Sequence, residues 1–183
     1  MVSQLKVNEI VKQSGSSITI GEDGDTITLP STSTLTNFPE NTPSFSAYRS
    51  SDVSITNSTN TILIFDTEDY DTNSAYNTSD GKFTVPTGEG GKYFLYSVFR
   101  TDSSNSMTRC NIHFYKNGST TISQFNNNQR SGGEASSSCS FVGTLSAGDY
   151  VQVRAFQNSG ATENIMGGSF GTTQFMGFKL IGA

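Results

Sequence analysis

Tryptophan is missing from this chain, histidine occurs once in 183 residues, and charged residues make up only 15% of it. One histidine without nearby Cys or carboxylate spacing excludes a zinc site. No second group stands with it as a general acid and base. Lys and Arg number 11 against 16 acidic residues, for a formal charge of −5. With no basic run there is no electrostatic footprint for nucleic acid. No apolar stretch approaches the length of a membrane span, so membrane insertion is not expected. The opening Met1-Val2-Ser3-Gln4-Leu5-Lys6 lacks the apolar core of a secretory signal. No window keeps a helical period. Hydrophobic residues reach only 33%, yet 13 Phe and 7 Tyr spread along strand-like runs can seed a core. The length suits one compact domain plus an appendage.

Cysteine is also scarce. Cys110 and Cys139 are far apart, and each sits in an apolar alternation. A disulfide is compatible with this, but two buried free thiols are the simpler reading, because free Cys packs like a small hydrophobe.

What is present is a strand pattern. Gly81-Lys82-Phe83-Thr84-Val85-Pro86-Thr87-Gly88-Glu89-Gly90-Gly91-Lys92-Tyr93-Phe94-Leu95-Tyr96 holds two apolar strands around a Pro- and Gly-rich turn. The second is apolar at both parities. In an antiparallel sandwich one face meets the core and the other meets water. A strand that is apolar on both sides needs a second covering surface, most simply another copy of the chain.

Residues 1–42 differ from the rest. Ile18-Thr19-Ile20 and Thr26-Ile27-Thr28-Leu29 alternate around a Gly21-Glu22-Asp23-Gly24-Asp25 turn, and a polar, Pro-bearing linker follows. So few apolar residues build no core of their own. An extended β-rich segment, ordered on a partner or on sister chains, is expected.

From residue 43 to 183 the chain reads as strand after strand: 45–48, 61–66, 82–85, 92–100, 109–116, 121–125, 139–145, 150–156 and 174–181. In 109–116, Ile112 and Phe114 point one way while His113 and Tyr115 point outward. Asn117-Gly118 is the strongest hairpin signal, and 126–138 reads as a polar loop. About ten short strands imply an all-β jelly-roll sandwich.

The order Phe65, Asn73, Tyr76, Gly81, Phe83, Pro86, Gly91, Tyr93, Phe94 resembles the C1q globular-domain signature. So do Lys116-Asn117-Gly118, then Leu145-Ser146-Ala147-Gly148-Asp149-Tyr150-Val151, then Phe175-Met176-Gly177-Phe178. The turn Gly88-Glu89-Gly90-Gly91 is longer than the family's usual one, and no collagen repeat precedes the domain. The resemblance implies a ten-stranded jelly roll related to tumour necrosis factor, assembled as a tight trimer about a three-fold axis. Tyr93, Tyr96, Phe175 and Phe178 are the interface candidates; the alternative is that they fill the subunit core. Leu5-Lys6-Val7-Asn8-Glu9-Ile10 and Ser16-Ser17-Ile18-Thr19-Ile20 are similar to the start of tailed-phage fibre proteins. That likeness implies an anchor carried by Leu5, Val7 and Ile10.

Other motifs carry less. Gly167-Gly168-Ser169-Phe170-Gly171 fits the hydrolase nucleophile pattern, but that motif needs a strand-turn-helix and a later histidine, and His113 comes earlier. Asp66, Glu68, Asp69 and Asp71 form the densest acidic group. Some C1q-like domains bind calcium, and calcium takes such oxygens, but the spacing is not that of an EF-hand. A solvated acidic loop is preferred, and no cofactor is expected. The Gly88–Lys92 turn lacks phosphate-loop spacing. Asn57, Asn77 and Asn117 open glycosylation-type triplets that chance explains in so Asn- and Ser-rich a chain.

The function expected is that of a non-enzymatic virion protein of a tailed bacteriophage. A homotrimeric knob would be fastened to other virion proteins through residues 1–42, with the loops 102–108, 126–138 and 158–168 outermost, contacting a host glycan or protein. Three copies per knob would give avidity. A ligand-free capsid decoration or cement protein and a secreted C1q-like binding module are the alternatives.

Overall fold

The computed structural model describes residues 23–26, 28, 41–102, 109–127, 134–168 and 171–181. The chain divides into two compact units, Met1–Phe38 and Pro39–Ala183. In the first, Asp23 and Gly24 form a turn with Gly24 at φ 90°. The anchor residues Leu5, Val7 and Ile10 lie outside the described residues.

The second unit holds thirteen strands and, among the described residues, no helix. They are β1 (Ser44–Tyr48), β2 (Val53–Ile55), β3 (Thr61–Ile62), β4 (Thr67–Asp71), β5 (Tyr76–Asn77), β6 (Lys82–Thr84), β7 (Gly91–Arg100), β8 (Cys110–Lys116), β9 (Thr120–Asn127), β10 (Ser136–Leu145), β11 (Tyr150–Gln157), β12 (Glu163–Ile165) and β13 (Gln174–Lys179). One sheet runs β10-β7-β13-β1-β4. The other runs β5-β6-β11-β8-β9, with β3 also on β11, and β2 pairs with β12. Every pairing is antiparallel. The all-β jelly-roll reading therefore holds. The strands outside the expected set are β2, β4, β5 and β12; all but the five-residue β4 are two- or three-residue pieces, too short to show a period of two.

The core lies between the two large sheets and follows from alternation. Tyr93, Leu95 and Phe99 point inward from β7, Cys110, Ile112 and Phe114 from β8, and Val151, Val153 and Ala155 from β11, all fully buried. Aromatic rings fill the centre. Phe45 stacks on Phe83 at 4.7 Å and on Tyr76 at 5.3 Å, and meets the edge of Phe175 at 4.8 Å. Each buried Phe contributes about 1.5–3 kcal/mol of burial, and well-placed ring pairs add about 0.5–1.5 kcal/mol. The Tyr76 hydroxyl accepts from the Phe65 N–H (3.0 Å) and donates to the Phe65 carbonyl (3.1 Å), so this ring is satisfied inside the core. Gly177 makes room: a Cβ there would lie 2.4 Å from Leu95 Cδ2 and 3.1 Å from Phe45 Cε1.

Three local expectations change. Only Thr61–Ile62 of the expected 61–66 strand forms a ladder, and beyond it Leu63 and Phe65 are buried. The acidic stretch is not a loop: Thr67–Asp71 forms β4, paired with β1 at the sheet edge. An edge strand is covered on one side only, so it needs no apolar alternation, and charge on it is tolerated. The polar segment 126–138 is partly strand, because β9 runs to Asn127 and β10 starts at Ser136.

Candidate functional site

Outward residues of the five-stranded sheet form a run of apolar side chains. From β7, Phe94 and Tyr96 point away from the core, and from β13, Met176 and Phe178 do. Register sets them in two rows across the sheet. Val142, Phe94, Phe178 and Ser44 make one; Ser140, Tyr96, Met176, Ser46 and Tyr70 make the other. Phe94 and Phe178 touch with ring centroids 5.4 Å apart. Val142 is 66% exposed and Tyr70 47%, while the four central side chains are half-buried. No acid or base stands in either row; Lys92 and Arg100 mark the two ends of β7. At one border, a cleft of about 490 Å³ opens between β9 and β10, lined by Phe94, Tyr96, Ser123, Phe125, Cys139 and Ser140. Its floor is tied together by the Ser123 hydroxyl, which donates to the Ser140 carbonyl at 2.6 Å. A contiguous aromatic surface of this kind marks an interaction site.

The four interface candidates separate into two pairs. Tyr93 and Phe175 are fully buried in the subunit core and cannot reach a second copy, so their assignment to an interface is corrected. Tyr93 donates its hydroxyl to the Glu89 carbonyl at 2.6 Å, and burial pushes that hydroxyl up to about 12. Tyr96 and Phe178 lie on the outer face. The reason is parity. Tyr93 and Tyr96 are three apart on one strand, as are Phe175 and Phe178, and residues three apart point to opposite faces. Phe94 and Met176, not chosen as candidates, share the face with Tyr96 and Phe178. Counting by twos from any core residue would have found them.

The acidic candidates do not converge. Asp66 accepts from the Ser50 N–H (2.8 Å) and hydroxyl (3.1 Å) and pairs with Arg49 at 3.2 Å. Burial raises its pKa, but the Ser50 bonds and the Arg49 charge outweigh that and hold it below the ordinary value. Asp71 instead accepts the N–H groups of Asn73, Ala75 and Tyr76, shaping the turn into β5. Glu68 and Asp69 are exposed on β4. Among the described residues no group of three potential metal ligands forms.

Two resemblance motifs prove to be one structural lock. Asn117 and Gly118 turn β8 into β9 with φ of 52° and 74°, the paired positive values of a tight hairpin. Asp149 sits in the turn before β11. Its carboxylate pairs with Lys116 at 2.6 Å, accepts from the Asn117 amide at 2.9 Å and accepts from the Ser146 N–H at 2.8 Å. Led by the Lys116 hydrogen bond and opposed by burial, these contacts hold its pKa at about 2. Asn117 Oδ1 accepts the Tyr150 N–H in return. Lys116-Asn117-Gly118 and Ser146-Ala147-Gly148-Asp149 thus clamp two hairpins together.

The remaining signals have structural roles. Cys110 and Cys139 are free and buried, with both thiols pushed up to about 12 by burial. Gly167 packs on the Ser51 backbone, leaving no space for a Cβ, and Gly168 takes φ of 95°. Ser169, the nucleophile position of that motif, lies outside the described residues, as does most of 102–108. His113 is on the outward side of β8 as expected, 6.0 Å from the Tyr115 ring, but it is buried rather than solvated, at 8% exposure.

The family model for the C1q domain matches residues 44–180. The chain belongs to the C1q domain family. Solved structures carry the same fold at low identity. The globular domain of zebrafish complement 1qA is 18% identical with a TM-score of 0.57, covering 75% of this chain and 97% of its own. The Eiger tumour necrosis factor of S. frugiperda is 14% identical (TM-score 0.56), covering 76% of this chain and 93% of its own. Murine APRIL at pH 5.0 is 15% identical (TM-score 0.56), covering 75% and 98%. A search of curated proteins finds no match. The aromatic face and the lock are therefore features of a C1q domain, and the jelly-roll expectation stands as fold.

Proposed function

We propose that the C1q domain of this chain is a non-enzymatic, homotrimeric binding module whose subunits meet through the outward face of the five-stranded sheet. One observation carries this: Val142, Phe94, Phe178, Tyr96 and Met176 form continuous apolar rows on a face that points away from the core. Burying such rows against a second subunit contributes about 25 cal/mol per Å² removed from water. The trimer implied by the C1q resemblance supplies that cover. Among the described residues, His113 has Arg109, Tyr115 and Arg154 for neighbours.

The N-terminal likeness to phage fibres extends the proposal. Residues 1–42 mount the trimer on the particle of a tailed bacteriophage, and the knob contacts a host surface glycan or protein, with avidity from three copies. Light scattering on the full chain tests the assembly: a mass three times that of the 19.6 kDa subunit supports it, and a soluble monomer ends it. Adding purified protein to host cells tests the extension. Slowed phage adsorption supports attachment; unchanged adsorption removes the host-contact role while leaving the trimer untouched.

A further inference from the structure

The one histidine of the chain stands in surroundings built against charge. Along β8, Cys110, Asn111, Ile112, His113 and Phe114 are all buried, so the strand is covered on both sides. Cys110, Ile112 and Phe114 belong to the core. His113 has the opposite parity, yet it is only 8% exposed. A strand flanks it on each side, with Arg154 of β11 and Gln124 of β9 directly across. Neither Nδ1 nor Nε2 finds a hydrogen-bond partner, and the side chain of Asn111 on the same face finds none either. Buried polar groups are normally paired, so this imidazole gains nothing from its two nitrogens.

The charge around the ring is positive. Arg154 lies over the Tyr115 ring, its Cζ 4.0 Å from the centroid, and Tyr115 is 6.0 Å from the imidazole. Arg109 lies over Phe156 at 4.9 Å. Arg49, Lys82, Arg100, Lys116 and Lys179 each pair with a carboxylate, whereas among the described residues none pairs with Arg109 or Arg154. The groups facing His113 are Arg154, Gln152 and Phe156 from β11, Gln124 from β9, Asn111 and Tyr115 from β8 itself, and Arg109 from the segment ahead of it. No carboxylate is among these. Burial first, then Arg109 and Arg154, hold His113 below its ordinary pKa, in agreement with the geometry.

We infer that His113 is an acid-sensitive latch on the six-stranded sheet: a proton taken up there adds a third positive charge with no counter-charge beside it, and loosens β8 from β9 and β11. The step is a proton transfer from hydronium to the free ring nitrogen. Both nitrogens then carry N–H donors with nothing to accept them. A proton needs no cavity, because β9 is the edge strand and its local opening admits water. The unfolded chain takes up the same proton at the ordinary value of 6.5. The stability that comes with the neutral ring is therefore complete above that value and is lost as pH falls below it, levelling off only under the depressed folded value. Asp66, Asp80 and Asp149 are all held below the ordinary carboxylate value, so their contributions fade in stronger acid. The consequence is a domain that is firm at neutral pH and loosened in mild acid. It does not depend on the trimer or on a phage particle.

The test is denaturant unfolding of the full-length protein at one protein concentration, from about pH 7.5 to about pH 5, beside His113→Gln and His113→Phe. In the parent the unfolding constant should rise toward about tenfold per pH unit below the ordinary histidine value, the slope of one proton. Each variant should flatten that slope, whatever its stability at neutral pH. Amide exchange corrected for intrinsic rate should show residues 111–115 and β9 opening more often in mild acid, with β7 unchanged. An NMR titration of the imidazole, unambiguous with a single histidine, should place its midpoint below that of the unfolded chain, and Arg154→Gln should raise it. Parent and variants with the same slope overturn the latch. So does an imidazole that titrates in the folded protein at or above the unfolded value. Exchange that rises equally in β7 and β8 overturns the loosening of β8.

Discussion

The two outward faces of this sandwich share one core and one backbone geometry, yet their chemistry is opposite. On the five-stranded sheet the outward rows hold Val142, Phe94, Phe178, Tyr96 and Met176 at their centre with serines at their edges, and charge stands only at the ends of β7. On the six-stranded sheet the outward positions hold Asn111, His113, Gln152 and Arg154, and the guanidiniums of Arg154 and Arg109 lie over the Tyr115 and Phe156 rings. An apolar outward face is relieved by more protein. A polar one with unsatisfied donors is relieved by a ligand or water.

The sharpest way to break that contrast is to mutate the two parities of β13. Phe175→Ala should cost about 3–5 kcal/mol of stability in denaturant unfolding, because Phe175 touches Phe45, Phe65, Tyr76 and Phe114 in the core. Phe178→Asp, three residues on, should instead shift the light-scattering mass to a single subunit while far-UV circular dichroism stays that of the parent. Equal destabilisation by both, with no change in mass, would erase the distinction between core and face. Gly177→Ala, between them, should cost about 1–3 kcal/mol by forcing Leu95 and Phe45 apart, read in the same unfolding experiment.

A smaller effect belongs to the lock on the polar sheet. Asp149 is depressed from 3.8 to about 2, so its contribution is present above the ordinary value and fades as pH falls toward the depressed one. Asp149→Ala should lose about 1–2 kcal/mol at neutral pH, and the gap from the parent should close on acidification toward about pH 2. A gap constant with pH would show that the carboxylate charge is not what clamps the hairpins. The smallest expected signal is chemical: Cys110 and Cys139 should resist a thiol reagent until the protein is unfolded, because burial keeps both as thiols. Fast labelling of Cys139 in the native protein would show that the cleft beside β10 opens.

Long alternating strands were readable because each carries its own record of burial. β7, β8, β10 and β11 appear in the residue pattern within a few positions of where they form. The Asn117-Gly118 hairpin was equally plain, since few residue pairs accept two positive φ values. β4 was not legible: an edge strand with polar sides satisfies its backbone on β1 and needs no apolar stripe. The buried state of His113 was missed too, because it depends on Arg154 and Phe156 arriving from β11, some forty residues away.

The amino-acid order alone settled that this chain is an all-β jelly roll with aromatic strands too apolar for one buried face, because alternation and turn chemistry are local properties of the backbone. Tertiary structure alone decided which parity faces the core. That put Tyr93 and Phe175 inside, and Tyr96 and Phe178 outside. It also set Arg154 across from His113, because register between strands distant in sequence is fixed only when two sheets close on a common core.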